Sequence, residues 1–116
     1  MDRSMTIGWW QWLPIHRWRI VATVPSADEI PDRLPKRAAV VVATDNFSKW
    51  IVFDCPCRSG HRVMLNTDPM RRPAWSLATS QAGLSISPSI DFTEGTRRCH
   101  FFMRAGRIAW APDTRP

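Results

Sequence analysis

The sequence predicts a mainly β fold, and three observations support this prediction. Its apolar stretches are short and rich in Val, Ile, Phe and Trp. Turn-forming residues recur about every 8–12 residues between these stretches, as in small β domains. No stretch of more than a few residues repeats its apolar residues at a helical period. We therefore expect one small β-rich domain of antiparallel hairpins, or an α+β variant of it with a single short helix.

Eight stretches have the composition of strands: residues 19–24, 38–44, 49–53, 62–66, 75–79, 84–87, 99–103 and 107–110. Residues 38–44 are apolar throughout, which predicts a strand buried on both faces. Prolines at positions 25, 31 and 35 limit any helix between the first two strands to about one turn. Pro88 is expected to end the sixth strand, because proline cannot donate a hydrogen bond to a neighbouring strand.

Length and composition restrict the class of protein. A chain of 116 residues forms one domain with a modest core. Hydrophobic residues make up 44% of the chain, which is typical of a globular protein and not of a disordered one. The formal net charge of +6 permits an anionic partner, either nucleic acid or an acidic protein surface, without requiring one.

The chain divides into three regions: a Trp-rich basic N-terminal arm at 1–18, a domain at 19–111, and a tail at 112–116 that is expected to fray. Trp beside Arg favours interfaces, so the arm is either a partner- or membrane-surface-binding segment or an element whose tryptophans cover the core. No apolar run approaches the roughly 20 residues of a membrane span, and no secretory signal pattern is present.

All three cysteines and two of the three histidines lie in two short places, residues 55–61 and 99–100. Each place adjoins a predicted strand. An odd number of cysteines argues against a closed disulfide framework and favours a reducing cytoplasm. Thiolates and imidazoles are the usual ligands of tetrahedral zinc. The sequence therefore predicts a domain centred on one zinc ion.

Five groups compete for the four positions around such an ion: Cys55, Cys57, His61, Cys99 and His100. Cys99 and His100 are adjacent, so in a regular strand they would point to opposite faces, and both could bind only at a bulge or a strand end. Three protein ligands and a water would make a catalytic site, and four would make a structural one. In the alternative interpretation, the cysteines are small buried hydrophobic residues.

A zinc hydrolase also needs a base. The candidates are Glu29, Asp54, Asp91 and Glu94. None belongs to a known metallohydrolase motif. Ser87 and Ser89 flank Pro88, and each is either a hydroxyl group at the site or a turn-forming residue.

Two arginine pairs, Arg71–Arg72 and Arg97–Arg98, are candidates for binding. They form either one basic patch beside the metal or separate, solvated charges.

The order of several motifs resembles a bacterial family of small Cys/His proteins. The motifs are EIPDRL at 29–34, CPC at 55–57, GHRVMLN at 60–66, RP-x-W at 72–75, PSI at 88–90, HFF at 100–102 and GRI-x-W at 106–110. The resemblance covers about residues 22–111. Ser59 and Arg97 stand where many members have Cys, and Cys99 lies next to His100 instead of several residues before it.

Members of that family are encoded beside bacterial ubiquitin-like proteins and their activating and conjugating enzymes. The resemblance implies those proteins as partners, and a zinc-dependent peptidase or deconjugase acting on the ubiquitin-like protein or its conjugates. Its ligands would be Cys55, Cys57 and Cys99, completed by His100 or His61, with Glu94, Asp91 and Ser89 as catalytic candidates. Two other functions stay open: a structural zinc module that binds a partner, and a basic zinc domain that binds nucleic acid.

Overall fold

The computed structural model describes residues 7–13 and 16–114, which form two four-stranded sheets. The first sheet contains β1 (Arg19–Val24), β2 (Ala38–Thr44), β3 (Phe47–Asp54) and β4 (Arg62–Asn66), in that order. The second contains β5 (Ser76–Ser80), β6 (Gly83–Glu94), β7 (Arg97–Arg104) and β8 (Arg107–Trp110), also in that order. Two short 3₁₀ helices, Trp9–Trp12 and Ala27–Glu29, are the other elements. The predicted β-rich fold is confirmed.

One strand pair differs from the expected hairpins. β1 and β2 pair in parallel, whereas the other pairs are antiparallel. A parallel pair needs a crossover of about a dozen residues or more, and residues 25–37 supply it. The prolines in this connection exclude a longer helix there, so the crossover contains only the short 3₁₀ helix Ala27–Glu29.

The core lies between the two sheets. Ile51 and Phe53 of the first sheet are fully buried, as are Ile90 and Phe101 of the second. Phe53 and Phe101 meet edge to face with ring centroids 6.5 Å apart. A second, smaller cluster lies on the other side of the first sheet and includes Val40 and Val42. β2 therefore contributes to both clusters, as its continuous apolar run predicted.

β6 does not end at Pro88, so that prediction was wrong. Ile86 pairs with Met103 and Ile90 pairs with Phe101, so residues 87–89 of β6 lie opposite the single residue Phe102 of β7. This is a bulge, where the ladder of hydrogen bonds is already interrupted. A proline in the bulge removes no ladder hydrogen bond, and the strand resumes beyond it.

The N-terminal tryptophans divide between core and surface. Trp18 is buried against Phe53, whereas Trp9, Trp10 and Trp12 are exposed. The Arg19 guanidinium donates to the backbone carbonyls of Gln11 and Lys36, which attaches the described part of the arm to the domain. Residues 1–6, 14 and 15 of the predicted arm lie outside the described residues. In the described ranges, no helix has the length and apolar character needed to cross a membrane.

Two backbone hydrogen bonds join Trp18, at the start of β1, to the second sheet, and a third connects the two segments of that sheet which Trp18 contacts. The amide of Trp18 donates to the carbonyl of Gly106, the amide of Gly106 to that of Leu84, and the amide of Leu84 to that of Trp18. The chain segments approach so closely that a Cβ on Gly83 would lie 2.6 Å from the Gly106 Cα. Position 83 therefore requires glycine for two reasons: the close packing leaves no room for a Cβ, and its φ is +131°.

We expect Gly83→Ala to destabilise the protein by about 3 kcal/mol or more, because the clashing atoms are backbone and cannot move aside. Gly95→Ala is the matched control: Gly95 has φ +62°, but nothing lies within 4 Å of the added methyl group. It should cost only about 1 kcal/mol. Urea unfolding measures the free energy of unfolding of both variants. An equal loss of stability in the two would contradict the importance of the close approach at Gly83.

Candidate functional site

A tight turn after β3 carries three of the candidate metal ligands. The amide of Cys55 donates to the carbonyl of His61 at 3.0 Å, and the amide of Arg58 donates to the carbonyl of Cys55 at 3.1 Å. Arg58 and Gly60 have φ values of +62° and +87°, which reverse the chain direction within a few residues. The side chains of Cys57 and His61 meet as a result.

Cys99, on the inner face of β7, completes a cluster with the ligands of this turn. The candidate ligand atoms of Cys55, Cys57, His61 and Cys99 all lie within 4.8 Å of one another. His61 Nε2 is 3.5 Å from the Cys57 sulfur and 3.9 Å from the Cys99 sulfur. A tetrahedral zinc ion with bonds of about 2.0–2.3 Å requires ligand separations of roughly 3.5–3.8 Å. These four residues could therefore hold a metal ion with little rearrangement.

The three thiols of the cluster differ in acidity. Burial raises the pKa of Cys55 and that of Cys99 above the usual value of a thiol. Burial also raises the pKa of Cys57, but hydrogen bonds with Ser59, Cys55 and Cys99 together lower it by more, so its net shift is downward. Because thiolates bind metals and thiols do not, a metal ion must displace protons from Cys55 and Cys99.

Glu94 is the carboxylate nearest to this cluster. Its Oε2 lies 3.3 Å from His61 Nδ1, the ring nitrogen that is farther from the Cys57 sulfur. The ring of His61 also stacks on Phe92, with centroids 4.7 Å apart. Metal-binding histidines commonly donate their second N–H to a carboxylate, which fixes the orientation of the ring. Glu94 is thus placed to orient a ligand.

His100 lies on the opposite face of β7 from Cys99. Between Arg97 and Phe101, β7 pairs with β6 without any shift of register, so successive side chains alternate between the two faces. Four of the five candidate ligands therefore come together, and His100 lies apart from them.

The ring of His100 connects a serine and an aspartate. Its Nε2 is 3.0 Å from Ser89 Oγ, and its Nδ1 is 2.8 Å from Asp113 Oδ1. Ser89 lies in the β6 bulge, and its carbonyl accepts a hydrogen bond of 3.2 Å from the indole N–H of Trp75. The amide of Trp75 in turn donates to the carbonyl of Asn66 at the end of β4. The position of Ser89 is therefore fixed by contacts on both sides of the bulge.

Asp113 was not among the site residues inferred from the sequence. Residues 112–114 belong to the tail at 112–116 and lie beside β7; residues 115 and 116 lie outside the described residues. The amide of Ala111 and the hydroxyl of Thr114 both donate to the carbonyl of His100, at 2.8 and 2.7 Å. One signal could have identified Asp113: it is the only acidic residue after His100 in the sequence.

Arg98 holds Asp113 from the other side. Its guanidinium contacts Asp91 Oδ2 at 2.7 Å and Asp113 Oδ2 at 3.0 Å. Hydrogen bonding to Arg98 lowers the pKa of Asp91. The hydrogen bond to His100 lowers the pKa of Asp113, and the charge of Arg98 lowers it further. Asp113 is therefore a carboxylate at neutral pH, with one oxygen on His100 and the other on Arg98.

The remaining candidates lie away from this arrangement. Arg71 and Arg72 are exposed in the connection between β4 and β5, where Arg71 lies 3.8 Å from Asp68. Arg97 is exposed opposite Glu94. A cavity of about 710 Å³ is lined by residues that include Lys36, Arg58 and Trp110, but not by Ser89, His100 or Asp113.

The described residues thus form a two-sheet β protein with a Cys₃His group that could hold a metal ion and, across β7, a hydrogen-bonded serine, histidine and aspartate. A family model described as "bacterial ubiquitination-like system serine protease (BubE)" matches residues 26–111. The chain belongs to the BubE family, which confirms the expected relationship to bacterial ubiquitin-like conjugation systems. The match contains Ser89 and His100 and ends two residues before Asp113. No curated protein and no solved structure matches the chain.

We expect Cys99→Ser to reduce the metal content of the purified protein and to lower its melting temperature by roughly 10 °C or more, because metal binding contributes to folding. His100→Ala, one residue away on the other face, should retain the metal. Elemental analysis and thermal melting of the two variants test this, and loss of metal in His100→Ala would place His100 among the ligands.

We also expect Arg98→Ala to move the pKa of Asp113 up towards the ordinary value of an aspartate. The pKa of Asp113 is lowered in the folded state, so its contacts persist above the ordinary pKa and are lost as the pH falls through the lowered one. Without Arg98 this loss should begin at a higher pH. Carboxyl NMR titration measures the shift, and the exposed neighbour variant Arg97→Ala should leave the Asp113 titration unchanged.

Proposed function

We propose that this protein is a serine peptidase of a bacterial ubiquitin-like modification system, with Ser89 as nucleophile, His100 as general base and Asp113 as the carboxylate that orients His100. The observation that carries the proposal is the continuous hydrogen-bonded chain from Ser89 Oγ through His100 to Asp113. A serine, histidine and carboxylate in this geometry recur on unrelated folds, in different chain orders, wherever a serine hydroxyl is activated for acyl transfer.

The contacts define which ring nitrogen of a neutral His100 carries the proton. An ionised Asp113 can only accept, so the proton of the neutral imidazole resides on Nδ1 and points at Asp113 Oδ1. Nε2 is then free to accept the hydroxyl proton of Ser89. Arg98 acts through Asp113 and is a positioning residue, because it contacts neither Ser89 nor the ring of His100 among the described contacts.

The reaction follows from these positions. Ser89 Oγ attacks the carbonyl carbon of the scissile amide while its proton moves to His100 Nε2. The amide bond breaks, the leaving amine takes that proton, and the acyl group remains on Ser89 as an ester. A water molecule then enters, gives a proton to His100 Nε2 and attacks the ester. The acid product leaves as Ser89 recovers its proton from His100.

The Cys₃His group supports a structural role for zinc in this proposal. Four protein ligands would fill the tetrahedral shell of a bound ion, and the soft thiolates favour zinc over harder cations. When bound, zinc would tie the turn after β3 to β7 and so fix the position of the strand that carries His100. The hypothesis from sequence assigned hydrolysis to a zinc-bound water, whereas the present proposal assigns it to Ser89, because Glu94 is engaged with His61.

The substrate proposed is a ubiquitin-like protein or one of its conjugates. The family description supports this, since it places BubE proteins in a ubiquitination-like system. The net charge of +6 would speed the approach of an acidic partner, and this effect should weaken as the salt concentration rises.

We expect Ser89→Ala to abolish labelling by a fluorophosphonate probe and to lower cleavage of the ubiquitin-like precursor or conjugate of the same system by about 1,000-fold or more. Removing the hydroxyl removes the nucleophile but no ligand of the metal, so metal content and melting temperature should stay unchanged.

Ser87→Ala is the matched control, because Ser87 is exposed on the other side of Pro88. It should retain labelling and cleavage. Stable binding of the ubiquitin-like protein without probe labelling or cleavage by the wild-type protein would contradict the peptidase assignment and favour the partner-binding module.

A further inference from the structure

The second half of β6 has one unpaired edge. β5 pairs with β6 only over residues 83–87, before the bulge that holds Ser89. Beyond the bulge, residues 90–94 pair with β7 on one side, and no described strand pairs with them on the other. An open strand edge therefore begins directly after the proposed nucleophile.

The hairpin geometry shows which backbone groups face this edge. Glu94 and Arg97 enclose a two-residue turn, so they exchange both of their backbone hydrogen bonds. Hydrogen-bonded and non-hydrogen-bonded pairs alternate along an antiparallel ladder. Thr93 and Asp91 are therefore in non-hydrogen-bonded pairs, and their N–H and C=O groups point away from β7.

Two neighbouring contacts agree with this alternation. The carbonyl of His100, which lies opposite Asp91, is directed to the β8 side, where it accepts from the amide of Ala111. The carbonyl of Ser89, two residues before Asp91, is directed to the side away from β7, where it accepts from the indole of Trp75. Within the described part of the chain, the backbone groups of Asp91 and Thr93 have no such partner.

We propose that this edge of β6, at Asp91 and Thr93, binds the extended main chain of the polypeptide substrate as an added strand and so delivers its scissile bond to Ser89. The inference rests on the proposed peptidase function. A strand advances about 3.3 Å per residue, so a segment paired at Asp91 reaches the level of Ser89 within about two residues. Main-chain hydrogen bonds are the usual source of affinity when a peptide is added to a sheet edge.

The surroundings favour a main chain over a large side chain as the recognised group. The cavity of about 710 Å³ is not lined by Ser89 or His100, so it does not provide a side-chain pocket at the nucleophile. Asp91 and Thr93 are exposed, and the carboxylate of Asp91 is already engaged by Arg98. Because an added strand must be extended, the substrate segment in this proposal is a flexible one, such as a terminal tail.

Thr93→Pro tests the edge directly. Proline removes the N–H that faces the open edge, and it is tolerated where that N–H has no partner in the sheet. We expect kcat/KM for a polypeptide substrate to fall at least tenfold, chiefly through KM, while fluorophosphonate labelling of Ser89 stays at the wild-type level. Thr93→Ala, which keeps the N–H and removes only the side chain, should cleave the polypeptide like the wild type.

A second measurement uses the wild-type protein and so does not depend on the folding of Thr93→Pro. Substrate peptides that carry one N-methylated amide should lose cleavage at alternate positions near the scissile bond, because only alternate amides face the sheet edge. Unchanged cleavage by a folded Thr93→Pro variant, or equal cleavage of all N-methylated peptides, would overturn the proposal. So would a change in sedimentation mass on Thr93→Pro, which would identify a second copy of the chain as the occupant.

The two levels of inference remain distinguishable. Absence of fluorophosphonate labelling in the wild-type protein would contradict the proposed peptidase function itself. If Thr93→Pro keeps both labelling and cleavage, the peptidase function stands, and only the proposal that the β6 edge binds the substrate is contradicted.

Discussion

The alternation of side chains along β7 is the constraint on which the rest of the site depends. Cys99 and His100 are neighbours in sequence, yet the pleat of a strand directs them to opposite faces of the second sheet. The inner face brings Cys99 to the thiols and imidazole of the turn after β3. The outer face brings His100 to Ser89 and Asp113. One strand therefore serves two sites, and a change in its register would disrupt both.

Departures from regular geometry supply the other members of the outer site. The bulge in β6 places Ser89 within hydrogen-bond distance of His100, although three residues there oppose only Phe102. The segment after β8 turns back along β7 through Ala111 and Thr114, which positions Asp113. Bulges often occur beside active sites, because they redirect a side chain without ending the sheet. The regular strands thus fix the scaffold, and the irregular segments supply the serine and the aspartate.

Much of the fold could be predicted from the sequence, because its strands carry local signals. The β-branched run at 38–44 and the alternation at 62–66 both marked strands that the structure contains. The Cys/His cluster was also accessible, since soft ligands in two short places imply a meeting point. Because adjacent residues of a regular strand face opposite sides, Cys99 and His100 could not both bind one metal ion in such a strand. Pro88 led to the wrong prediction that β6 ends there. A proline is a clear signal for the end of a strand, whereas a bulge has no comparable sequence signal.

The aspartate was hidden from sequence reasoning for a physical reason. Asp113 reaches His100 only through tertiary contacts of a short segment that follows the last strand, and such a segment resembles a frayed end in composition. Ser89 was recognised as a candidate, but its partner could not be chosen without the register between β6 and β7. The sequence marked Arg98 as a binding candidate by its charge alone. In the structure its guanidinium contacts Asp91 and Asp113, so its charge interacts with carboxylates of the same domain.

The wide separation of the cluster's ligands along the chain has a consequence for biosynthesis. Cys99 follows His61 by 38 residues, so a nascent chain on the ribosome has an incomplete ligand set until β7 has been translated. His100 is the very next residue to be added. The last ligand and the proposed catalytic base therefore emerge together, and Asp113 emerges after both. A translation product interrupted before Cys99 would have neither the complete Cys₃His group nor the contacts of His100 with Ser89 and Asp113.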